Sequence, residues 1–228
     1  MSVLALRAAR QGFIEPCLPS RTAHPPLGPG WLHEIKYDGF RLMACRDGRD
    51  VRLLTRRGYD WTQRFRLIAD AVAGLRCNSC LIDGEAVACD DQGIPDFKLL
   101  IRKRLYASAQ LYAFDLLELD GEDLRHEPIE RRKHALTHLV GNDRAGLLIS
   151  QPIDAAADVA FQHICRLGLE GIDQRSSARN TSLDARPCGS RRSIRTLRHS
   201  NGWSRKIGVA KTIVTVPAAP RGPGAPAT

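Results

Sequence analysis

The chain has 228 residues, 43% of them apolar, and a formal net charge of +9. That length fits one large domain, or one domain with appendages, and the apolar share is enough for a core. The basic balance is carried mostly by arginine and points to a polyanionic partner; no run of eighteen apolar residues exists, so no helical membrane span is expected.

Met1–Arg10 is short and lacks the apolar core of a signal peptide. Residues 14–30 are rich in proline and glycine and read as an entry loop. Trp31, Leu32 and Ile35 form an apolar run-in that puts Lys36 at a strand end or in the following turn. The stretch Glu34-Ile35-Lys36-Tyr37-Asp38-Gly39-Phe40-Arg41 is the most informative in the chain. An amine that attacks a phosphate must shed its proton, and partial desolvation near other cations helps it do so. Arg41 and later arginines supply such a field and can hold phosphate oxygens. The same eight residues also fit a surface Lys-Asp pair on a tight turn.

Asp50–Thr55 alternates like a strand. Phe65, Ile68, Ala69, Val72 and Leu75 follow the helical period, with Thr62 or Asp60 as the expected cap. Leu81–Ala88 reads as a strand interrupted by Asp83-Gly84, and Leu111–Leu117 as a second buried strand ended by a turn at Asp120-Gly121. Pro128 opens a helix reaching about Val140. A further helix is expected over 155–167, stopped by Gly168. The tail from Pro217 is rich in Pro, Ala and Gly and is expected to be disordered.

Cysteines 17, 45, 77, 80, 89, 165 and 188 are scattered and odd in number, which argues for reduced thiols and a cytoplasmic protein. Cys77-Asn78-Ser79-Cys80 has metal-ligand spacing but no second pair, so no zinc site is expected there. His134 and His138 lie one helical turn apart, beside Arg131, Arg132 and Lys133, which read as a solvated face.

Other clusters carry chemistry only weakly by themselves. Thr55-Arg56-Arg57-Gly58 puts arginines at a strand end before a glycine turn. Glu85 follows Asp83-Gly84 in an apolar strand; it either meets ribose hydroxyls or sits on the wet face of the strand. Phe114 either stacks on a base or belongs to the core. Glu170-Gly171-Ile172 either brings a carboxylate to a metal ion or is a turn.

In their order these segments resemble the covalent nucleotidyltransferases, most closely the adenylation domain of bacterial ATP-dependent DNA ligases of the end-joining type. Lys36-Tyr37-Asp38-Gly39 matches the nucleophile motif, flanked by Glu34 and Arg41. Thr55-Arg56-Arg57-Gly58, Asp83-Gly84-Glu85, Phe114-Asp115-Leu116-Leu117 and Glu170-Gly171-Ile172 match the motifs that follow. The resemblance covers about residues 14 to 172. It implies an α/β (α+β), ATP-grasp-like domain over 14–175 with antiparallel sheets around a nucleotide pocket, after an N-terminal extension of 1–13. By the same resemblance Lys36 takes AMP from ATP, Arg41 and Arg56 hold phosphate oxygens, and Glu85 binds the ribose. Phe114 stacks on adenine, Glu34 lies beside the adenine edge, and Glu170 supports Mg²⁺ (or Mn²⁺). The implied partner is nicked double-stranded DNA, with end-joining repair proteins alongside.

After Ile172 the pattern departs. Asp173, Gln174 and Arg175 stand where the family has a valine with a lysine and arginine close behind. Residues 176–202 lack the family's Tyr-Arg-Ser-Gly-Arg-Ser segment and its Trp-x-Lys-x-Lys motif, and Trp203-Ser204-Arg205-Lys206 is a poor echo. Residues 176–228 are therefore expected to be diverged and unpacked, without an OB-fold. Nick sealing weakened by this divergence is the expected function; the alternative is a non-catalytic remnant that binds nucleotide or nucleic acid.

Overall fold

The computed structural model describes residues 20–21, 31–91, 93–101, 103–142, 144–153, 159, 162, 164, 171–176 and 191–195. Ten strands are formed among these residues. They are β1 (Ser20–Arg21), β2 (Trp31–Lys36), β3 (Phe40–Asp47), β4 (Asp50–Thr55), β5 (Ser79–Val87), β6 (Gln110–Leu119), β7 (Glu122–Asp123), β8 (Leu147–Ile149), β9 (Gly171–Ser176) and β10 (Arg191–Arg195). With them, among the described residues, are the α-helices α1 (Arg66–Ala73), α2 (Phe97–Ile101) and α3 (Ile129–Val140) and a 3₁₀ helix over Lys103–Ser108. The larger sheet runs β4-β3-β5-β6-β7, with β8 also paired to β6; the smaller runs β1-β10-β9-β2. Pairing is antiparallel except at β6–β8 and β1–β10. The mixed α/β architecture with antiparallel sheets is the one expected from the sequence.

Period-2 alternation gives the larger sheet two unlike faces. Leu42, Ala44, Ile82, Ala86, Leu111, Ala113 and Leu116 look toward Ile68 and Val72 of α1 and Leu136 and Val140 of α3, which together make the main core. The opposite face is divided along its length. Met43, Cys45, Leu54 and Leu81 form a small apolar cluster at one end, while Arg41, Asp83 and Glu85 follow on the same strands toward the other.

Register shifts in the β5–β6 pairing break the alternation near Asp83-Gly84. Asp83 pairs with Asp115 and Gly84 with Ala113, leaving Phe114 as the extra residue. A bulge of this kind re-aims side chains. It lets Tyr112, Phe114 and Asp115 all serve the face that carries Arg41. The strand expected over Leu81–Ala88 thus continues through Asp83-Gly84 and is bulged opposite it. At the far end of β6 the hairpin closes through Asp120 and Gly121, both at positive φ (48° and 91°), as the Asp-Gly pair suggested.

Three local expectations are corrected. Thr62 and Asp60 do not cap α1, whose preceding residue is Phe65 with no side-chain cap. The Thr62 hydroxyl instead accepts from the Leu53 amide (2.9 Å), and Asp60 accepts from the Thr62 amide (2.9 Å), so both close the turn after β4. Arg191–Arg195, inside the stretch expected to be unpacked, forms β10 and pairs with β9 along its whole length, Ile194 opposite Ile172. Arg132 and Lys133 are buried rather than solvated, for reasons given below. Residues 14–19 and 22–30, Gly168, and 176–228 beyond Ser176 and β10 lie outside the described residues; of the helix expected over 155–167, Val159, Gln162 and Ile164 are described and helical.

Candidate active site

The site begins with how two strands of the smaller sheet are paired. β2 and β9 place Glu34 opposite Asp173, Lys36 opposite Gly171, and Leu32 opposite Arg175. Alternation puts these residues on one face. Ile35 and Ile172 occupy the other, in a small cluster with Ile153 and Ile164. The outer edge of β2 is covered by the chain leaving β8, through a bridge from Glu34 to Pro152 and a hydrogen bond from the Ile153 amide to the His33 carbonyl (2.8 Å). Lys36 is half-buried at the end of its strand.

The Glu34 face meets the polar end of the larger sheet through ion pairs. Arg175 Nη1 donates to Asp115 (2.7 Å), and its Nε lies 3.2 Å from Glu34 Oε2. Arg132 Nε lies 3.1 Å from the other Asp115 oxygen. Lys133 Nζ donates to Glu34 Oε1 and to the Ser150 carbonyl (2.7 Å). Arg41 grips Asp83 bidentately, at 2.8 and 2.5 Å. All of these acids and bases are shielded from water, Glu34 being only 2% exposed. Charges so placed require partners.

Their electrostatics follow from that crowding. Burial alone would lower the Arg41 guanidinium, but the fields of Asp83, Glu85 and Asp173 reverse this and hold it above its ordinary value. Arg175 behaves alike: burial opposes the charge, and Asp115 and Glu34 more than restore it. For Lys133 burial wins and pushes the ammonium down, against the pull of Glu34.

Phe114 lies between these groups and is 5% exposed. The guanidinium carbons of Arg175 and Arg41 lie 4.5 and 5.1 Å from its ring centroid. Glu85 stands opposite Arg41 in the β3–β5 register, and a Cβ at Gly39 would lie 2.9 Å from Glu85 Cγ. The Glu85 side chain therefore abuts the turn that follows Lys36. Tyr37 of that turn packs on Tyr112 of β6, with ring centroids 4.2 Å apart.

Of the residues singled out in the sequence, Glu34, Lys36, Arg41, Glu85 and Phe114 thus gather where the two sheets face each other. Arg56 is exposed on the turn after β4, where the Gly58 amide donates to the Thr55 carbonyl (2.8 Å). Glu170 lies outside the described residues. No three potential metal ligands cluster among the described residues.

Asp83, Asp115, Arg132 and Lys133 were given no role by sequence reasoning. The signal for the last two was present. Ile129, Arg132, Lys133, Leu136 and Val140 are the buried residues of α3 and follow the helical period, so the basic pair lies on the apolar stripe. Arg131, one position away, is the exposed member and pairs with Glu127 (2.8 Å).

A family model described as the ATP dependent DNA ligase domain matches residues 21–177. The chain belongs to this family. Among ligase relatives, it is 38% identical over 182 residues to the multifunctional non-homologous end joining protein LigD of Pseudomonas aeruginosa, covering 74% of this chain and 22% of that protein. It is 34% identical over 178 residues to a probable DNA ligase of Rhodococcus jostii, covering 75% of this chain and 35% of that one. The solved structure of mycobacterial DNA ligase D complexed with ATP and MES is similar with a TM-score of 0.62, at 26% identity, over 78% of this chain and 60% of that chain. The present chain therefore spans well under half the length of these curated relatives. The fold is that of a DNA ligase adenylation domain of the bacterial end-joining type, as the motif order implied.

Proposed function

We propose that this chain catalyses lysine adenylylation as the nucleotidyl-transfer domain, residues 14–175, of an ATP-dependent DNA ligase acting in end-joining repair. The observation that carries the reading is convergence. Segments as far apart as Lys36 and Arg175 come to one buried, charge-lined place between two sheets, with Lys36 at its border. In the first step the neutral Lys36 amine attacks the α-phosphorus of ATP. The Nζ–P bond forms, the bond to the bridging oxygen breaks, pyrophosphate leaves, and the amine proton passes to solvent. An oxygen of the 5′-phosphate at a nick next displaces the lysine from AMP. The 3′-hydroxyl then attacks that 5′-phosphate and releases AMP.

Glu85, beside the Lys36 turn, is suited to accept from ribose hydroxyls. Arg41, opposite Glu85, and Arg175, on the strand paired with β2, are the cations of the site, and Phe114 is the platform for the base once a guanidinium yields its place. Arg56, on its exposed turn, is suited to the DNA phosphate. A divalent cation, Mg²⁺ or Mn²⁺, supplies charge neutralisation on the phosphates when bound, with Glu170 as its supporting carboxylate. Nicked duplex DNA is the proposed substrate and end-joining proteins are the proposed partners. A cytoplasmic location fits this reading; no described helix is long and apolar enough to cross a membrane.

Radiolabelled ATP followed by a denaturing gel tests the proposal. A covalent adduct is expected with the wild-type chain and none with Lys36→Ala. Sealing of nicked duplex by this chain alone is expected to be poor, since the lysine motif beyond Arg175 is missing from the sequence. An adduct retained in Lys36→Ala assigns the chemistry elsewhere; no adduct at any ATP or metal concentration favours the non-catalytic remnant.

A further inference from the structure

We infer that Lys133 is a positioning residue that sets nucleobase choice, by holding one oxygen of Glu34 so that the other reads a 6-amino purine. This rests on the reading of Lys36 as the site of nucleotidyl transfer. Glu34 and Lys36 are two residues apart on one strand face, so a nucleotide whose α-phosphate meets Lys36 has Glu34 close by.

The two oxygens of the Glu34 carboxylate are not equivalent. Oε1 accepts from Lys133 Nζ, which also donates to the Ser150 carbonyl at 2.7 Å and is thereby fixed between α3 and the chain after β8. Oε2 is buried and accepts no hydrogen bond; Arg175 Nε is 3.2 Å away but outside hydrogen-bonding geometry. A buried anionic acceptor left open in this way is a site for a donor. The 6-amino group of adenine is such a donor. A 6-oxo purine presents an oxygen lone pair at the same place, against an acceptor oxygen of the carboxylate. Sites built to accept a hydrogen bond from their substrate reject analogues lacking the donor far more strongly than sites built on shape alone.

Arg175 explains why Lys133 is needed. Its Nε and Nη2 both lack acceptors. Without the Lys133 contact, the Glu34 carboxylate is free to turn onto this ready-made fork and give up both oxygens to it. The open acceptor then disappears while the pocket stays filled and neutral.

The test compares ATP with ITP, in which a 6-oxo group replaces the 6-amino group and N1 carries a hydrogen, using the rate of Lys36 labelling and equilibrium binding to the full chain. Wild type is expected to favour ATP by roughly 100-fold. Lys133→Met should cut that ratio at least tenfold, chiefly by losing ATP, and Lys133→Arg should restore part of it. Glu34→Gln, which keeps the shape of the side chain, should also collapse the ratio and serves where Lys133→Met does not fold. A purely structural Lys133 would weaken both nucleotides alike, and an unchanged ratio in folded Lys133→Met or Glu34→Gln overturns the inference. Binding that prefers ATP without any labelling overturns the proposed transfer chemistry but supports this role; no discrimination by wild type, or no binding of either nucleotide, overturns it.

Discussion

Gly39 offers the sharpest test of how the nucleophile is placed. It lies between the end of β2, where Lys36 sits, and the start of β3, whose Phe40 pairs with Ala86 of β5. A Cβ built there would lie 2.2 Å from the Ala86 carbonyl oxygen and 3.1 Å from its carbon. Ordinary contact begins at 3.4 Å, so the turn and the strand would have to part by about 1.2 Å. The obstacle is backbone in the middle of a sheet, which cannot swing aside as a side chain can. Gly39→Ala is therefore expected to cost about 1–3 kcal/mol in urea unfolding, as overpacking does. Misplacement on the order of 1 Å is worth about 10²-fold in rate, and adduct formation should fall by that order at saturating ATP. Gly48→Ala is the control. Gly48 is also constrained, at φ +60°, yet nothing lies within 4 Å of its Cβ position in the β3–β4 hairpin. It should lose about 1 kcal/mol of stability and keep its labelling rate. Labelling within threefold of wild type in Gly39→Ala would refute the argument that this glycine exists for close approach.

Arg41→Ala leaves Asp83 buried directly opposite Asp115 and should cost about 3–5 kcal/mol in denaturant unfolding; the double variant Arg41→Ala/Asp83→Ala should recover much of it, and a single-variant cost below about 1 kcal/mol would count against the pairing. Burial alone would raise the Asp123 carboxyl, but its hydrogen bonds from Arg125 outweigh this and hold it below 3.8. That contribution is fully present above the unfolded value and is lost as pH falls through the folded one, so the stability gap between wild type and Asp123→Asn should be widest near neutrality and close in acid; a gap independent of pH would contradict the linkage. Arg56→Ala, on its exposed turn, should leave the melting temperature unchanged. It should lower affinity for nicked duplex and reduce the salt slope by about one unit, and an unchanged slope would remove Arg56 from the DNA surface.

What could be read in the sequence was local. Asp50–Thr55 alternates and is β4 to the residue; Pro128 precedes a helix that ends at Val140. Asp120-Gly121 closes the hairpin because both residues tolerate positive φ. The unread parts depend on distant partners. Lys133 looks like a surface residue until Glu34, 99 positions earlier, is brought beside it. Thr62 has the chemistry of a cap, and only the fold shows that the Leu53 amide claims its hydroxyl first. The bulge at Phe114 is likewise invisible to a period-2 count, since one extra residue reverses the faces on either side of it.

The pairing of the two aspartates explains why both are present. Asp83 and Asp115 stand opposite each other on neighbouring strands, an arrangement that is repulsive by itself. Each is neutralised from elsewhere in the chain: Asp83 by Arg41 of β3, Asp115 by Arg175 of β9 and Arg132 of α3. The repulsion is thereby converted into a demand for arginines from three separate elements, which fixes how the smaller sheet and α3 approach the larger one. It also keeps Arg41 and Arg175 desolvated and held in place. A cation that must be assembled for each substrate loses rotamer freedom at every turnover, whereas one already held by a buried acid loses little. Under the proposed function, the acids hold ready the cations that a triphosphate would meet.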